Sequence, residues 1–180
     1  VSGTIDATSA NARFNLPAGL AVDASKNVYV ADTGNHTIRK ITSAGVVTTL
    51  AGGAGLTGST DATGTAARFN SPAALAVDSS GNVFVCDAGN HTIRKITSAG
   101  VVTTIAGSPG VSGTTNANGS SARFNSPQGI TLDASGNLCI ADSGNHAIRK
   151  IATNGDVATF AGLAGTSGST DATGTSARFN

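Results

Sequence analysis

Apolar residues along this chain come in short bursts, separated by turn-forming residues, and the bursts recur at one fixed step. Within residues 16–70, Leu20-Ala21-Val22-Asp23 is a short apolar run after Pro17, followed by the turn Ala24-Ser25-Lys26-Asn27. Val28-Tyr29-Val30-Ala31-Asp32 is β-branched and aromatic and stops at Thr33-Gly34-Asn35. Thr37-Ile38-Arg39-Lys40-Ile41-Thr42 forms a third run closed by Ser43-Ala44-Gly45, and Val46-Val47-Thr48-Thr49-Leu50 forms a fourth. Runs of about five residues joined by turns of about two to five predict four antiparallel strands in a meander. Helical periodicity is absent.

The second and fourth runs are apolar at both alternating positions. A sheet with one wet face carries polar residues at every other place, so these strands are expected to be buried on both faces, with sheet stacked on sheet. The predicted fold is therefore all-β, with four-stranded meanders stacked around an axis as β-propeller blades, one per repeat.

The repeat itself is explicit. Asp32–Ile41 returns as Asp87–Ile96 and again as Asp142–Ile151, a step of 55 each time, and Ala-Arg-Phe-Asn ends at Asn15, Asn70, Asn125 and Asn180. A period of this length signals a propeller or an array. It divides the chain into 1–15, a partial repeat that copies the connecting segment, and three units at 16–70, 71–125 and 126–180, each a blade plus its connector. The connectors run from Gly52 to Ser71, Gly107 to Ser126 and Gly162 to Asn180. Connections of such length are uncommon inside a domain. Each carries a fixed pair, Arg68-Phe69, Arg123-Phe124 or Arg178-Phe179, with Arg13-Phe14 in the partial copy, and a buried Phe is expected to pin it.

With these residues placed, the chain resembles the NHL repeat. The resemblance rests on Asn35-His36 with Ile38-Arg39-Lys40, Asn90-His91 with Ile93-Arg94-Lys95, and Asn145-His146 with Ile148-Arg149-Lys150, each after a strand ending in Asp. The longer variant of the family has the Gly-rich stretch and Ala-Arg-Phe-Asn-x-Pro matched by Leu50 to Pro72 and Ile105 to Pro127. The resemblance implies a propeller, usually of six blades, serving as a protein-, RNA- or ligand-binding platform and occasionally as a lyase. Only three meanders are present here, flanked by two copies of the connector, Val1–Asn15 and Thr166–Asn180.

Three stacked sheets leave one apolar face bare at each end, and such faces are larger than a soluble monomer normally exposes. The expected partner is the chain itself, as a homodimer whose two sets of three blades close a six-bladed ring. Each seam would then receive two connector copies for one groove, so either Phe14 or Phe179 docks and the other copy is displaced. The chain reads as a fragment or an engineered half of such a ring, a non-catalytic scaffold. The alternative is a ligand-, RNA- or metal-binding, lyase-like propeller cut down to three blades.

Composition changes this picture little. Gly, Ala, Ser and Thr dominate, Glu, Met and Trp are absent, and the formal charge is +1. That balance gives no reason to expect nucleic acid or a membrane surface, and no apolar run has the length of a bilayer span. The chain starts at Val1 with no leader and so reads as a piece of something longer; its Thr, Ser, Ala and Asn content hints at an extracytoplasmic bacterial parent. Cys86 and Cys139 occupy inequivalent repeat positions, which favours free thiols over a disulfide.

Several recurring residues carry chemistry in principle. His36, His91 and His146 invite a metal, but they lie on different blades, separated by multiples of a strand width of about 4.8 Å, too far apart for bonds of about 2.1 Å to one ion. They are read as turn residues, with Asp32, Asn35, Asp87, Asn90, Asp142 and Asn145 bonding the turn amides. Arg13, Arg68, Arg123 and Arg178 are read as structural, bridging to Asp32, Asp87 or Asp142. Arg39-Lys40 and its repeats read as charges snorkelling at the outer part of the blade, and Asp23, Asp78 and Asp133 as turn formers. No catalytic residue, metal site or cofactor is expected, because the innermost runs Leu20–Asp23, Leu75–Asp78 and Ile130–Asp133 offer no His, Cys, Glu or Lys. Exposed stacking rings for nucleic acid are also lacking.

Overall fold

A computed structural model describes all residues, Val1–Asn180, and contains three four-stranded antiparallel sheets. Blade 1 is β1 (Pro17–Val22), β2 (Val28–Asp32), β3 (Thr37–Ile41) and β4 (Val47–Ala51). Blade 2 is β5 (Pro72–Val77), β6 (Val83–Asp87), β7 (Thr92–Ile96) and β8 (Val102–Ala106). Blade 3 is β9 (Pro127–Leu132), β10 (Leu138–Asp142), β11 (Ala147–Ile151) and β12 (Val157–Ala161). Each strand pairs only with its sequence neighbours. This is the meander that alternation and short turns dictate.

The first hairpin of each blade is closed by an Asp at the end of its inner strand. Asp23 accepts the backbone and side-chain N–H groups of Asn27, Asp78 those of Asn82, and Asp133 those of Asn137. The second hairpin is a single 3-10 turn ending in a His in the left-handed region, with φ of 57° at His36, 58° at His91 and 53° at His146. A bulge falls at the same place in every blade, between Ile38 and Arg39, Ile93 and Arg94, and Ile148 and Arg149. The three units share one local fold because they share one sequence.

The core lies between blades. Tyr29, Ala31, Ile38 and Ala51 of blade 1 pack against Leu75, Val83, Val85, Ile96 and Val102 of blade 2, with Phe69 of the connector fully buried among them. The next junction repeats this with Cys86, Ile93 and Ala106 against Leu138, Ile140, Ile151 and Val157 around Phe124. The outer strands depart from the sequence expectation: β4, β8 and β12 are buried at their first residue and exposed at their second. At the blade's outer edge there is too little neighbouring sheet to cover both faces. At the inner edge the backbones close up, and a Cβ at Gly19 would lie 2.6 Å from the Ala74 Cα.

That approach gives a direct test. Gly19→Ala places a methyl against backbone rather than against a side chain that can turn away. It is expected to destabilise the fold by about 1–3 kcal/mol, read as a lower midpoint in urea unfolding.

Candidate functional site

The repeated polar constellation forms one buried cluster per blade, where the connector meets the 3-10 turn. In blade 2, Asp87 sits at the end of β6 and Arg94 in the middle of β7, both wholly buried. Arg94 Nη1 donates to Asp87 Oδ2 at 2.7 Å and to the carbonyl of Arg68 at 3.0 Å. Its Nη2 reaches Asp61 Oδ1 at 2.6 Å and the carbonyl of Thr60 at 3.2 Å. The guanidinium also lies over the Phe69 ring, 5.0 Å from its centre. Asp87 takes the amide N–H of Asn70 on its other oxygen at 2.7 Å, and Asn90 Nδ2 at 2.8 Å beside the arginine.

Blades 1 and 3 repeat the arrangement. Arg39 pairs with Asp32 at 2.9 Å and with Asp6 of the partial connector, and lies over Phe14. Arg149 pairs with Asp142 at 2.8 Å and lies over Phe124, but Asn116 replaces the second carboxylate, at 2.7 Å. A buried charge pair holds only when its remaining hydrogen-bonding capacity is filled. The connector supplies partners for both terminal nitrogens of each arginine through its carbonyls and its Asp or Asn, and leaves only the Nε without one. Each cluster is therefore a clasp that ties a connector to the blade that follows it.

This corrects two sequence expectations. The arginines that pair with Asp32, Asp87 and Asp142 are Arg39, Arg94 and Arg149 of the third strands, not Arg13, Arg68, Arg123 and Arg178. The connector arginines donate to main-chain carbonyls of their own 3-10 turn, as Arg68 does to Thr65 and Ala67. Nor do Arg39, Arg94 and Arg149 snorkel outward; the adjacent Lys40 and Lys95 do, each over the ring of Tyr29 or Phe84. The signal that could have found the pairs is the constant seven-residue step from Asp to Arg across a hairpin, present in all three units.

The turn residues also reach beyond their own turn. They do not bond the turn amides as the sequence suggested: Asp32, Asp87 and Asp142 accept the connector amides of Asn15, Asn70 and Asn125, and Asn35, Asn90 and Asn145 donate to those Asp side chains and to the connector carbonyls of Gly3, Gly58 and Gly113. The Nδ1 of His36 accepts the Ser71 amide N–H at 3.0 Å, and that of His91 accepts Ser126 N–H at 3.0 Å, so each His is bonded to the start of the next blade. The Nδ1 of His146 is buried with no donor in reach. Phe69 and Phe124 are fully buried, Phe14 is half-buried and Phe179 is exposed.

The charged groups of each cluster are held in buried pairs. No group of three His, Cys, Asp or Glu side chains is placed to hold a metal ion. Cys86 is buried, and burial pushes its thiol well above the ordinary range. Burial also pushes the Asp87 carboxyl up to about 6, against the opposing pull of the Asn70 amide, Asn90 and Arg94. Asp142 is raised for the same reason. No helix is long and apolar enough to cross a membrane.

The sequence profile of the NHL repeat matches residues 14–41, 69–96 and 124–151, which carry the first three strands of each blade. NHL repeat-containing protein 3 of Mus musculus is 29% identical over 146 residues, covering 75% of this chain and 39% of that protein. Protein SUPPRESSOR OF QUENCHING 1, chloroplastic, of Arabidopsis thaliana is 35% identical over 159 residues, 83% of this chain and 15% of the relative. Among solved structures, a protein of unknown function from Bacteroides thetaiotaomicron superposes with a TM-score of 0.75 at 26% identity, covering 91% of this chain and 40% of that one. The chain thus spans well under half the length of each.

Two predictions separate the arginines and fix the acid response. Arg94→Ala leaves Asp87 buried without its countercharge and is expected to cost about 3–5 kcal/mol, whereas Arg68→Ala is expected to cost about 1 kcal/mol, both by urea unfolding. Because the folded Asp87 and Asp142 hold their protons more tightly than the unfolded chain, their stabilising contribution is complete below the ordinary carboxylate range. It is lost as the pH rises, for Asp87 through about 6. Asp133, Asp23 and Asp156 are held down chiefly by side-chain hydrogen bonds from Asn137, Asn27 and Asn118, and lose their contribution only in stronger acid. Stability is thus expected to rise modestly from pH 7.5 to 5 and fall below pH 4, with an Asp87 carboxyl NMR midpoint near 6.

Proposed function

We propose that this chain, an NHL-repeat protein of three blades, is a non-catalytic interaction scaffold and that two copies of it close a six-bladed ring. The observation that carries this reading is the pair of bare end faces. On blade 1, Leu20 and Val22 are 64% and 60% exposed, while of their counterparts at the inner junction Leu75 is 4% exposed and Val77 is half-buried. On blade 3, Ile148 and Ala141 are only half-buried and Phe160 is 60% exposed, whereas Ile38, Ile93, Ala31 and Cys86 are wholly buried.

The two faces also match in volume. At the inner junctions an aromatic on the second strand sits with an aliphatic on the fourth, Tyr29 with Leu50 and Phe84 with Ile105. On blade 3 the sizes are exchanged, Cys139 with Phe160, and the repeated lysine still finds its ring: Lys150 lies 5.9 Å from Phe160, as Lys95 lies 5.9 Å from Phe84. Exchanges that keep total volume preserve packing best, so this end face offers nearly the bulk of an inner junction. The polar register agrees. Leu16 occupies the repeat place of Ser71 and Ser126, so the Leu16 amide of a second copy is the donor that His146 Nδ1 lacks. Both oxygens of each buried Asp and both terminal nitrogens of each buried Arg are taken up by structural partners, which supports the non-catalytic half of the reading.

Sedimentation equilibrium is expected to give twice the 17.5-kDa chain mass. Leu20→Asp with Val22→Asp, both on the exposed face, is expected to give a folded monomer. A wild-type chain that stays monomeric across the micromolar range overturns the proposal.

A further inference from the structure

Closing the ring raises a conflict at each seam, and the structure indicates how it is resolved. Val1–Asn15 fills the groove on blade 1: Asp6 and the carbonyls of Ile5 and Arg13 hold Arg39, the Asn15 amide holds Asp32, and Ser9 and Val47 exchange backbone bonds with Gly45 and Ala7. Thr166–Asn180 lies against blade 3 in the equivalent fold, with Gly165 N–H on the Asn145 carbonyl and Phe179 beside Gly162. Both segments are copies of the connector that fills an inner junction once, so only one of them fits in a seam.

We infer that the partner subunit's segment 166–180 takes the groove on blade 1 and expels Val1–Asn15; this rests on the two-copy ring proposed above. One difference between the copies points this way. The 3-10 turn of the connector begins at a left-handed residue that is Gly64, Gly119 or Gly174 in the three full connectors and Ser9 in the N-terminal copy, with φ of 52°. A non-glycine side chain in this region is strained. Expelling the N-terminal copy relieves the strain at Ser9. The incoming segment brings everything the groove requires: Asp171 stands where Asp6 and Asp61 do, Thr170 supplies the carbonyl given by Ile5 and Thr60, Arg178 that given by Arg13 and Arg68, and Asn180 the amide for Asp32. It also keeps its own attachment to blade 3, which the N-terminal copy lacks.

The repeat furnishes its own test. Trypsin meets the same tetrapeptide, Ala-Arg-Phe-Asn, at Arg13 and Arg178, so a difference in cleavage reports which copy is expelled. The full chain is weighed by native mass spectrometry and then digested briefly, with products read by mass. The expected result is a two-chain species cut first after Arg13, which remains two-chain after each chain has lost its N-terminal peptide. Ser9→Gly, which removes that strain from the expelled copy, is expected to shift the Arg13-to-Arg178 cleavage ratio towards Arg178 by at least about fivefold. A two-chain species cut first after Arg178, or equally at both, overturns the exchange while leaving the ring intact. A one-chain mass before digestion overturns the ring reading and this inference with it.

Discussion

Each blade is secured to its incoming connector by one guanidinium that has been taken wholly out of water. Desolvating such a charge is expensive unless its donors are met in good geometry, and removing any one partner leaves a residual buried charge. Arg94 meets two carboxylates, two carbonyls and a ring. Of those partners Asp87 belongs to the blade, and the other carboxylate, both carbonyls and the ring belong to the connector. The fold therefore cannot keep the blade and release the connector without exposing or stranding the charge. A Gly-, Ser- and Thr-rich segment with almost no core-forming residues of its own is held in one conformation for this reason.

The same logic explains why the connector is long. It carries a Phe into the junction between blades, reaches the Arg of the next blade with an Asp, and then runs along the outer strand: Val102 N–H bonds the Ala62 carbonyl and Thr104 N–H bonds Asp61. An outer strand left open would present unpaired amides to any other strand. One segment thus supplies an anchor for the interblade core, a neutralising group for the buried charge and a cover for the sheet edge. Blade 3 shows how far the scheme tolerates change. Asn116 replaces the connector carboxylate and still accepts from Arg149, because the second carboxylate adds charge to a contact whose geometry the carbonyls already fix.

The architecture was legible from sequence because it is written in periods. Alternation at two gives strands, turn residues give the hairpins, and the 55-residue step gives the blades. The Phe of each connector was legible too, as a lone large apolar residue in a polar segment. The charge pairing was not. Strand β3 reads Thr-Ile-Arg-Lys-Ile, and alternation places Arg39 and Lys40 on opposite faces without saying which face is wet. In a sheet packed on both sides, that choice is made by the connector, which arrives from a distant part of the sequence. The connector Arg, which keeps step with the Asp residues blade by blade, suggested itself as their partner, whereas the third strand's own Arg, beside the bulge after Ile38, is the one that bonds Asp32. The partial burial of the outer strands was missed for a related reason: Val46-Val47 and Leu50 look like core, yet the edge of a blade has sheet on too little of its surface.

The size of the proposed ring rests on a constraint that acts at every junction alike. A head-to-tail contact repeats one rotation, and it closes only if that rotation divides the circle. Both inner junctions are built from matching residues, Ile38 with Leu75 and Phe69 in one, Ile93 with Ile130 and Phe124 in the other, and so impose matching rotations. A seam formed by Ile148 with Leu20 uses the same contact and inherits the same rotation. Assemblies of this chain are then restricted to multiples of three blades. Within that series a lone chain leaves Leu20, Val22 and Phe160 in water and His146 Nδ1 without a donor, while the proposed two-copy ring would cover all four with contacts the molecule already makes twice internally.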